Sequence, residues 1–255
     1  MAFKALVKII YILVPLLTGG CGLVPNFSGD SMSNAEKAKL YMQMGIRYLD
    51  LNILDVAKEK LTLALRLDSG NAEIRGALAA FYERIKDYPA AEDSYEAAVS
   101  RAPDNFSIKS NYGRFLCERG HYKQALAMLQ DALDQPMNNR QWFALTNLGN
   151  CYVLQNDLAH GEEYCRKALA LQPDYAPALL EMQKISYQNR QYLSARGFLE
   201  RYLAVAPQSP ESLWYAFQTE RALGDGVAAA EYSEQLITSF PASKEAQEIR
   251  NVIGK

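Results

Sequence analysis

The sequence predicts an all-α protein, a superhelix of about six helix-turn-helix units that fill most of the chain. Residues after position 35 are rich in Ala, Leu, Glu, Gln and Arg and poor in Val and Ile, a composition that favours helix. Small residues also recur at a period near 34, and one such column reads Ala57, Ala91, Ala125, Gly161, Ala195 and Ala229. This repetition is typical of solenoids, in which each unit buries its apolar face only by stacking on its neighbours.

The segment 1–20 has the pattern of a secretory signal peptide. Lys4 and Lys8 are followed by an apolar run at 9–17, which is shorter than the roughly 20 apolar residues that a membrane-spanning helix needs. Small residues then lead to Cys21, in an arrangement that resembles a bacterial lipobox, although Thr18 stands where an aliphatic residue is usual. We expect cleavage just before Cys21 and acylation of its thiol. A signal that is simply cleaved, or a cysteine buried in a short apolar helix, is the alternative.

Residues 21–34 predict a lipidated, flexible tether, because they contain Pro, Gly, Ser and Asn and lack hydrophobic periodicity. Each buried methylene of an acyl chain contributes about 0.8 kcal/mol, so three acyl chains would hold the protein on a membrane. Gly22 follows the cysteine, where an aspartate would resemble the signal for retention in the inner membrane. We therefore expect a lipid anchor in the outer membrane, on its periplasmic face.

Charge and motif content exclude several classes of function. The 27 basic and 29 acidic residues leave no basic excess to neutralise phosphates, so we expect no nucleic-acid partner. The chain has no nucleophile elbow, no glycine-rich phosphate loop, no paired-histidine helix motif and no C-x-x-C pair. We expect a protein that is not an enzyme, with no cofactor, no metal site and no small-molecule substrate.

Three cysteines follow Cys21, namely Cys117, Cys151 and Cys165. An odd number cannot pair completely. One interpretation makes them small, buried helix residues, and another pairs Cys151 with Cys165 in an oxidising periplasm.

The repeat frame places helix pairs at about 38–71, 72–105, 106–141, 142–175, 176–209 and 210–243, within a solenoid over 35–255. The segments AEIRGALAAFYERIKDYPAAEDSYEAAVSRAPDN and WFALTNLGNCYVLQNDLAHGEEYCRKALALQPDY match along their whole length at their small, aromatic and proline positions. This pattern resembles the tetratricopeptide repeat. The spacing of 36 from Gly113 to Gly149 indicates a two-residue insertion at QPMNN. Residues 252–255 are too short to add a further helix pair.

Side chains of each first helix that recur at fixed offsets should face a concave groove. In the first unit Met42, Ile46 and Leu49 form one helical face, and we assign the core instead to Tyr41, Met44, Tyr48, Leu61 and Leu65. That second apolar face predicts a partner helix, although such a face is more often core. In the third and fourth units the candidate groove residues are Asn111, Arg114, Asn147 and Asn150. Asn111 and Asn147 stand at equivalent positions and bind either a peptide backbone or neighbouring helices.

The lipobox, the tether and six repeats, with KSNYGRFLCERGHYKQAL among them, resemble the type IV pilus biogenesis and stability lipoproteins, the PilF/PilW pilotin family, over residues 1–250. The resemblance implies that Cys21 carries the acyl anchor. It also implies binding to the pilus secretin, transport of the secretin to the outer membrane, its multimerisation there, and a need for the protein in twitching motility. The alternative is a general tetratricopeptide scaffold lipoprotein that organises another periplasmic or outer-membrane complex.

Overall fold

The computed structural model describes residues 32–253, and within this range all regular secondary structure is α-helix. The predicted signal peptide, Cys21 and most of the predicted tether lie outside the described residues. The helices are α1 (Asn34–Asp50), α2 (Leu54–Leu67), α3 (Ala72–Arg84), α4 (Tyr88–Arg101), α5 (Phe106–Glu118), α6 (Tyr122–Asp134), α7 (Gln141–Leu154), α8 (Leu158–Leu171), α9 (Ala176–Gln188), α10 (Tyr192–Val205), α11 (Pro210–Leu223), α12 (Gly226–Ser239) and α13 (Lys244–Ile253).

The helices pack as six consecutive pairs, from α1 with α2 to α11 with α12, and this confirms the predicted all-α solenoid of about six units. Each first helix also contacts the first helix of the next unit, along the series α1, α3, α5, α7, α9 and α11. Among the described residues, the second helices of neighbouring units do not contact one another. The first helices therefore form the inner, concave layer of the superhelix.

Small residues lie where the two helices of a unit cross. The alanines at positions 57, 91, 125, 195 and 229, and Gly161 in the same column, are all buried. A methyl group on Gly45 would come within 2.6 Å of the Leu61 Cγ atom, and one on Gly113 equally close to that of Leu129, in each case on the second helix of the same unit. The glycines thus leave space for the large side chain that the partner helix inserts, which explains the fixed spacing of the pattern.

Adding a methyl group at two helical glycines should have opposite effects on stability. At Gly149 the new Cβ would lie 2.5 Å from Cys165 Sγ and 3.0 Å from the Gly161 carbonyl oxygen, so we expect Gly149→Ala to destabilise the fold by about 1–3 kcal/mol. At Gly197 no atom lies within 4 Å of the new Cβ, and helix propensity should stabilise Gly197→Ala by up to about 1 kcal/mol. Urea denaturation of both variants checks the prediction, and equal shifts would contradict it.

The turn within each unit depends on one residue in the left-handed region. These residues are Asn52, Lys86, Gly120, Asn156, Arg190 and Gly224, with φ between 57° and 83°. In every turn the next residue donates its N–H to the carbonyl five positions back, for example Ile53 to Tyr48 at 2.8 Å. This bond satisfies a carbonyl at the helix end. In the second, fourth and sixth units the aspartate after the left-handed residue also caps the second helix.

Cys117 on α5 and Cys151 on α7 form a disulfide, with their Cα atoms 5.6 Å apart. The alternative pairing of Cys151 with Cys165 is wrong. The first helices of the third and fourth units lie side by side, which brings Cys117 to Cys151. Cys165 is instead a buried free thiol that faces Gly149 at the helix crossing, in the position that Leu61 and Leu129 take in other units.

A single helix, α13, follows the sixth pair and was not predicted. Its buried side chains, Ala246 and Ile249, pack in one cluster with Leu213, Phe217 and Leu236 of the sixth unit. The Ser243 hydroxyl accepts the Ala246 N–H at 3.0 Å and caps the helix start. The helix covers an apolar face of the last pair, as terminal elements of a solenoid must. No helix between residues 32 and 253 is long and apolar enough to cross a membrane.

A candidate protein-binding groove

A cavity of about 1040 Å³ opens on the concave face of the first three units. Its walls come from α1, α3, α5, the α4–α5 connection and the α6–α7 loop. The lining residues are Met42, Ile46, Leu49, Asp50, Glu73, Gly76, Ala77, Ala80, Glu83, Arg84, Lys86, Tyr88, Tyr95, Asp104, Asn105, Phe106, Ser107, Ile108, Asn111, Arg114 and Met137. Five of the seven groove residues named from the sequence are among them.

The wall that α1 forms contains both buried core residues and an exposed surface residue. Met42 and Leu49 are buried within the cluster that also holds Phe81, while Ile46 between them is 39% exposed. The predicted separation of core and groove was therefore wrong for Met42 and Leu49, whereas Tyr41 and Tyr48 are half-buried and pack against the same cluster, as predicted. The reason is that α1 packs on both α2 and α3, so two of its faces are covered. Ile46 is the apolar residue of this wall that an incoming side chain can reach most freely.

The floor of the groove is made of small residues on α3. Gly76, Ala77 and Ala80 line the cavity, at the repeat positions that Met42, Gln43 and Ile46 occupy on α1. Because these side chains end close to the backbone, the space above α3 stays open between α1 and α5. The result is a trough about as long as α3, which at 13 residues spans roughly 20 Å.

A closed polar cluster forms part of the opposite wall. Arg114 on α5 donates to both carboxylate oxygens of Glu83 at 2.9 Å and to Glu118 at 2.7 Å, and Tyr95 donates to Glu83 at 2.5 Å. Burial and the Glu83 carboxylate raise the pKa of Tyr95, so its hydroxyl stays a donor. Burial alone would lower the pKa of Arg114, but Glu83 and Glu118 outweigh it and raise that pKa. These groups hold α3, α4 and α5 together.

The predicted asparagines divide into two groups. Asn111 lines the cavity, as predicted for a groove residue. Asn147 instead donates to the Ser110 carbonyl at 3.2 Å, and Asn150 donates to Glu181 at 2.8 Å, so both bond to neighbouring helices. Lys184 then bridges Glu181 and Glu211 at 3.0 and 2.9 Å. Burial opposes the charge of Lys184, but these two carboxylates raise its pKa. Polar side chains thus link the neighbouring first helices α5, α7, α9 and α11 along the concave face.

The cavity has the chemistry of a protein-binding site. It offers an apolar wall, a small-residue floor, a polar cluster around Arg114 whose members satisfy one another, and exposed charged side chains, a mixture suited to an amphipathic segment. In the part of the chain that the structure describes, no group of three His, Cys, Asp or Glu side chains is arranged to hold a metal ion.

Comparison with known proteins places these features in context. Three tetratricopeptide-repeat family models match residues 42–106, 86–149 and 142–175. The type IV pilus assembly protein PilF of Pseudomonas aeruginosa is 28% identical over 215 residues, which cover 84% of this chain and 85% of PilF. A solved structure of P. aeruginosa PilF superposes with a TM-score of 0.66 at 28% identity and covers 86% of this chain and 99% of that one. The crystal structure of PilW, a widely conserved type IV pilus biogenesis factor, gives 0.68 at 28% identity over 83% and 97%.

Proposed function

The chain is a tetratricopeptide-repeat protein of the type IV pilus, similar to PilF and PilW, and from this premise we propose that it is a pilotin. As a pilotin it is an outer-membrane lipoprotein that binds the pilus secretin, directs it to the outer membrane and promotes its multimerisation. Pilus biogenesis and twitching motility then depend on it. The role is one of binding and placement, without catalysis.

The observation that carries the proposal is the open groove beside Ile46. An apolar wall next to a small-residue floor leaves about 1040 Å³ unfilled on the concave face, a space that suits the apolar stripe of an amphipathic helix. The groove begins in the first repeat, in the helix that directly follows the predicted tether in the chain. In this scheme the acyl chains on Cys21 set the location and the solenoid selects the partner.

Loss of the anchor should separate binding from localisation. In a deletion strain that carries Cys21→Ser, we expect the protein to leave the outer-membrane fraction and the heat-resistant secretin multimer to be reduced or to appear in the wrong membrane. The measurement is membrane fractionation followed by detection of the multimer, with the native protein and the empty deletion strain as controls.

Two outcomes would contradict the proposal in different ways. Normal secretin multimers in the deletion strain would indicate a lipid-anchored scaffold for another complex. A Cys21→Ser protein that remains in the outer-membrane fraction and supports normal multimers would show that acylation of Cys21 is not the anchor.

A further inference from the structure

Met137 is the most exposed of the large hydrophobic residues between 32 and 253, with 82% of its surface accessible, and it lines the groove. It lies in the two-residue insertion of the third unit, in the loop between α6 and α7. An isolated exposed methionine needs no explanation by itself. Met137, however, lies at the groove and on an insertion that the other repeats lack, and this combination needs an explanation.

The loop that carries Met137 is built around a buried side chain. Asn138 is 7% exposed, and its amide donates to the Ala132 carbonyl at 2.8 Å and accepts the Arg140 N–H at 2.8 Å. The Asn138 N–H donates to the Gln135 carbonyl at 2.9 Å. These bonds fix the residue after Met137 against the end of α6, so the methionine is held outward while its neighbour is anchored.

Met137 and Ile46 lie on different walls of the trough. Ile46 belongs to α1 in the first unit, and Met137 belongs to the loop that ends the third unit, with the floor of α3 between them. Phe106 and Ile108 of α5 line the same cavity and extend the apolar surface on the Met137 side. A helix in the trough would therefore meet apolar side chains on two sides, so its apolar face must be broad.

The end of the groove at Met137 is acidic. Met137 lies in the loop that leads into a first helix, at the edge where α3 and α5 begin. Glu73 in the first turn of α3 and Asp104 just before α5 line this end, and both are exposed. No basic side chain lines the cavity at this end, whereas Arg84 and Lys86 lie where α3 ends. An occupant with a basic residue at the Met137 end would complement this charge.

We propose that the 135–139 loop is a recognition arm for the partner and that Met137 is a specificity-determining contact. The occupant is an amphipathic helix of three to four turns with a broad apolar face and a Lys or Arg at the end that meets Met137, Glu73 and Asp104. The inference rests on the proposed function, because it takes the secretin as the source of this helix. Methionine suits the task, since its flexible, polarisable side chain adapts to the surface that it covers.

The test compares Met137→Ser with Leu193→Ser in the full-length, detergent-solubilised protein. Leu193 is 72% exposed and lies outside the cavity lining, so it matches Met137 in exposure but not in place. With purified secretin as the probe, we expect Kd to rise about tenfold for Met137→Ser, because serine cannot bury the apolar surface that the methionine buries in the complex. The Leu193→Ser variant should bind normally. Equal affinity of the Met137→Ser variant and the native protein would overturn the inference.

Photo-crosslinking distinguishes failure of this inference from failure of the proposed function. A photoreactive residue at position 46 or at position 137 should capture the secretin, and the captured peptide next to position 137 should contain a Lys or Arg. Capture at position 46 alone would leave the pilotin proposal intact and remove the recognition arm. Capture at neither position would contradict both. A captured peptide at position 137 that is acidic would overturn the assigned charge.

Discussion

Removal of the disulfide between Cys117 and Cys151 should lower the free energy of unfolding by about 3–4 kcal/mol, because the bond closes a loop of 34 residues and so restricts the unfolded chain. It also joins the first helices of two neighbouring units. Those helices form the inner layer, and α5 supplies one wall of the groove, so the bond should stabilise the groove as well as the fold.

The measurement is urea denaturation of the Cys117→Ala/Cys151→Ala variant and of the oxidised native protein. We expect a lower midpoint for the variant and no further change when a thiol reductant is added to it. The native protein should lose a similar amount in the reductant. Cys165→Ala should keep the full response to reductant, because Cys165 is not part of the bond. A Cys165→Ala protein that is insensitive to reductant would show that the wrong pair had been assigned.

The repeat made the fold predictable, because spacing alone reports which residues meet. A small residue every 34 positions requires a close helix crossing. In the structure the residues of the Ala57 column and of the Ala64 column are buried at these crossings, and in the last two units the buried Tyr202 and Leu236 take the place of the small residue in the Ala64 column. The backbone conformation of the turns was harder to predict from the sequence. Lys86 and Arg190 adopt positive φ, a conformation that glycine and asparagine favour and long side chains do not. The packing of the two helices imposes it on them.

The groove was only partly predictable, because the pattern fixes which face of a helix points inward but not which side chains are used internally. Asn147 and Asn150 sit at inward-facing positions, yet helices of the neighbouring units take their hydrogen bonds. The disulfide depends on the side-by-side placement of α5 and α7, which spacing along the chain does not report. The prediction also missed the α3 floor, Gly76, Ala77 and Ala80, and the loop residue Met137. The signal for Met137 was present as the two-residue insertion, since an extra pair of residues in a regular repeat must leave the helical path.

A single charge at the α1 wall should abolish useful binding of the secretin, with Kd at least about 100-fold higher for Ile46→Glu. A bound helix would cover the 39% of Ile46 that is exposed, which contributes part of the roughly 1.5–3 kcal/mol for burying a whole apolar side chain. Glutamate at this position loses that contribution and places an unpaired carboxylate against an apolar surface, which adds a desolvation cost. Because about 1.4 kcal/mol changes an equilibrium tenfold, the two effects together reach the stated magnitude.

The choice of residue decides whether this experiment reports binding or folding. Met42 is 8% exposed and packs in the core, so Met42→Glu would bury a charge and unfold the first unit, whereas Ile46 is 39% exposed and its replacement leaves the core intact. Ile53→Glu is the matched control, since Ile53 belongs to the same unit, is 44% exposed and lies outside the cavity lining. Both variants should unfold at nearly the native urea concentration. Only Ile46→Glu should lose the secretin and its heat-resistant multimer, and equal binding by the two variants would rule out the α1 wall as the docking surface.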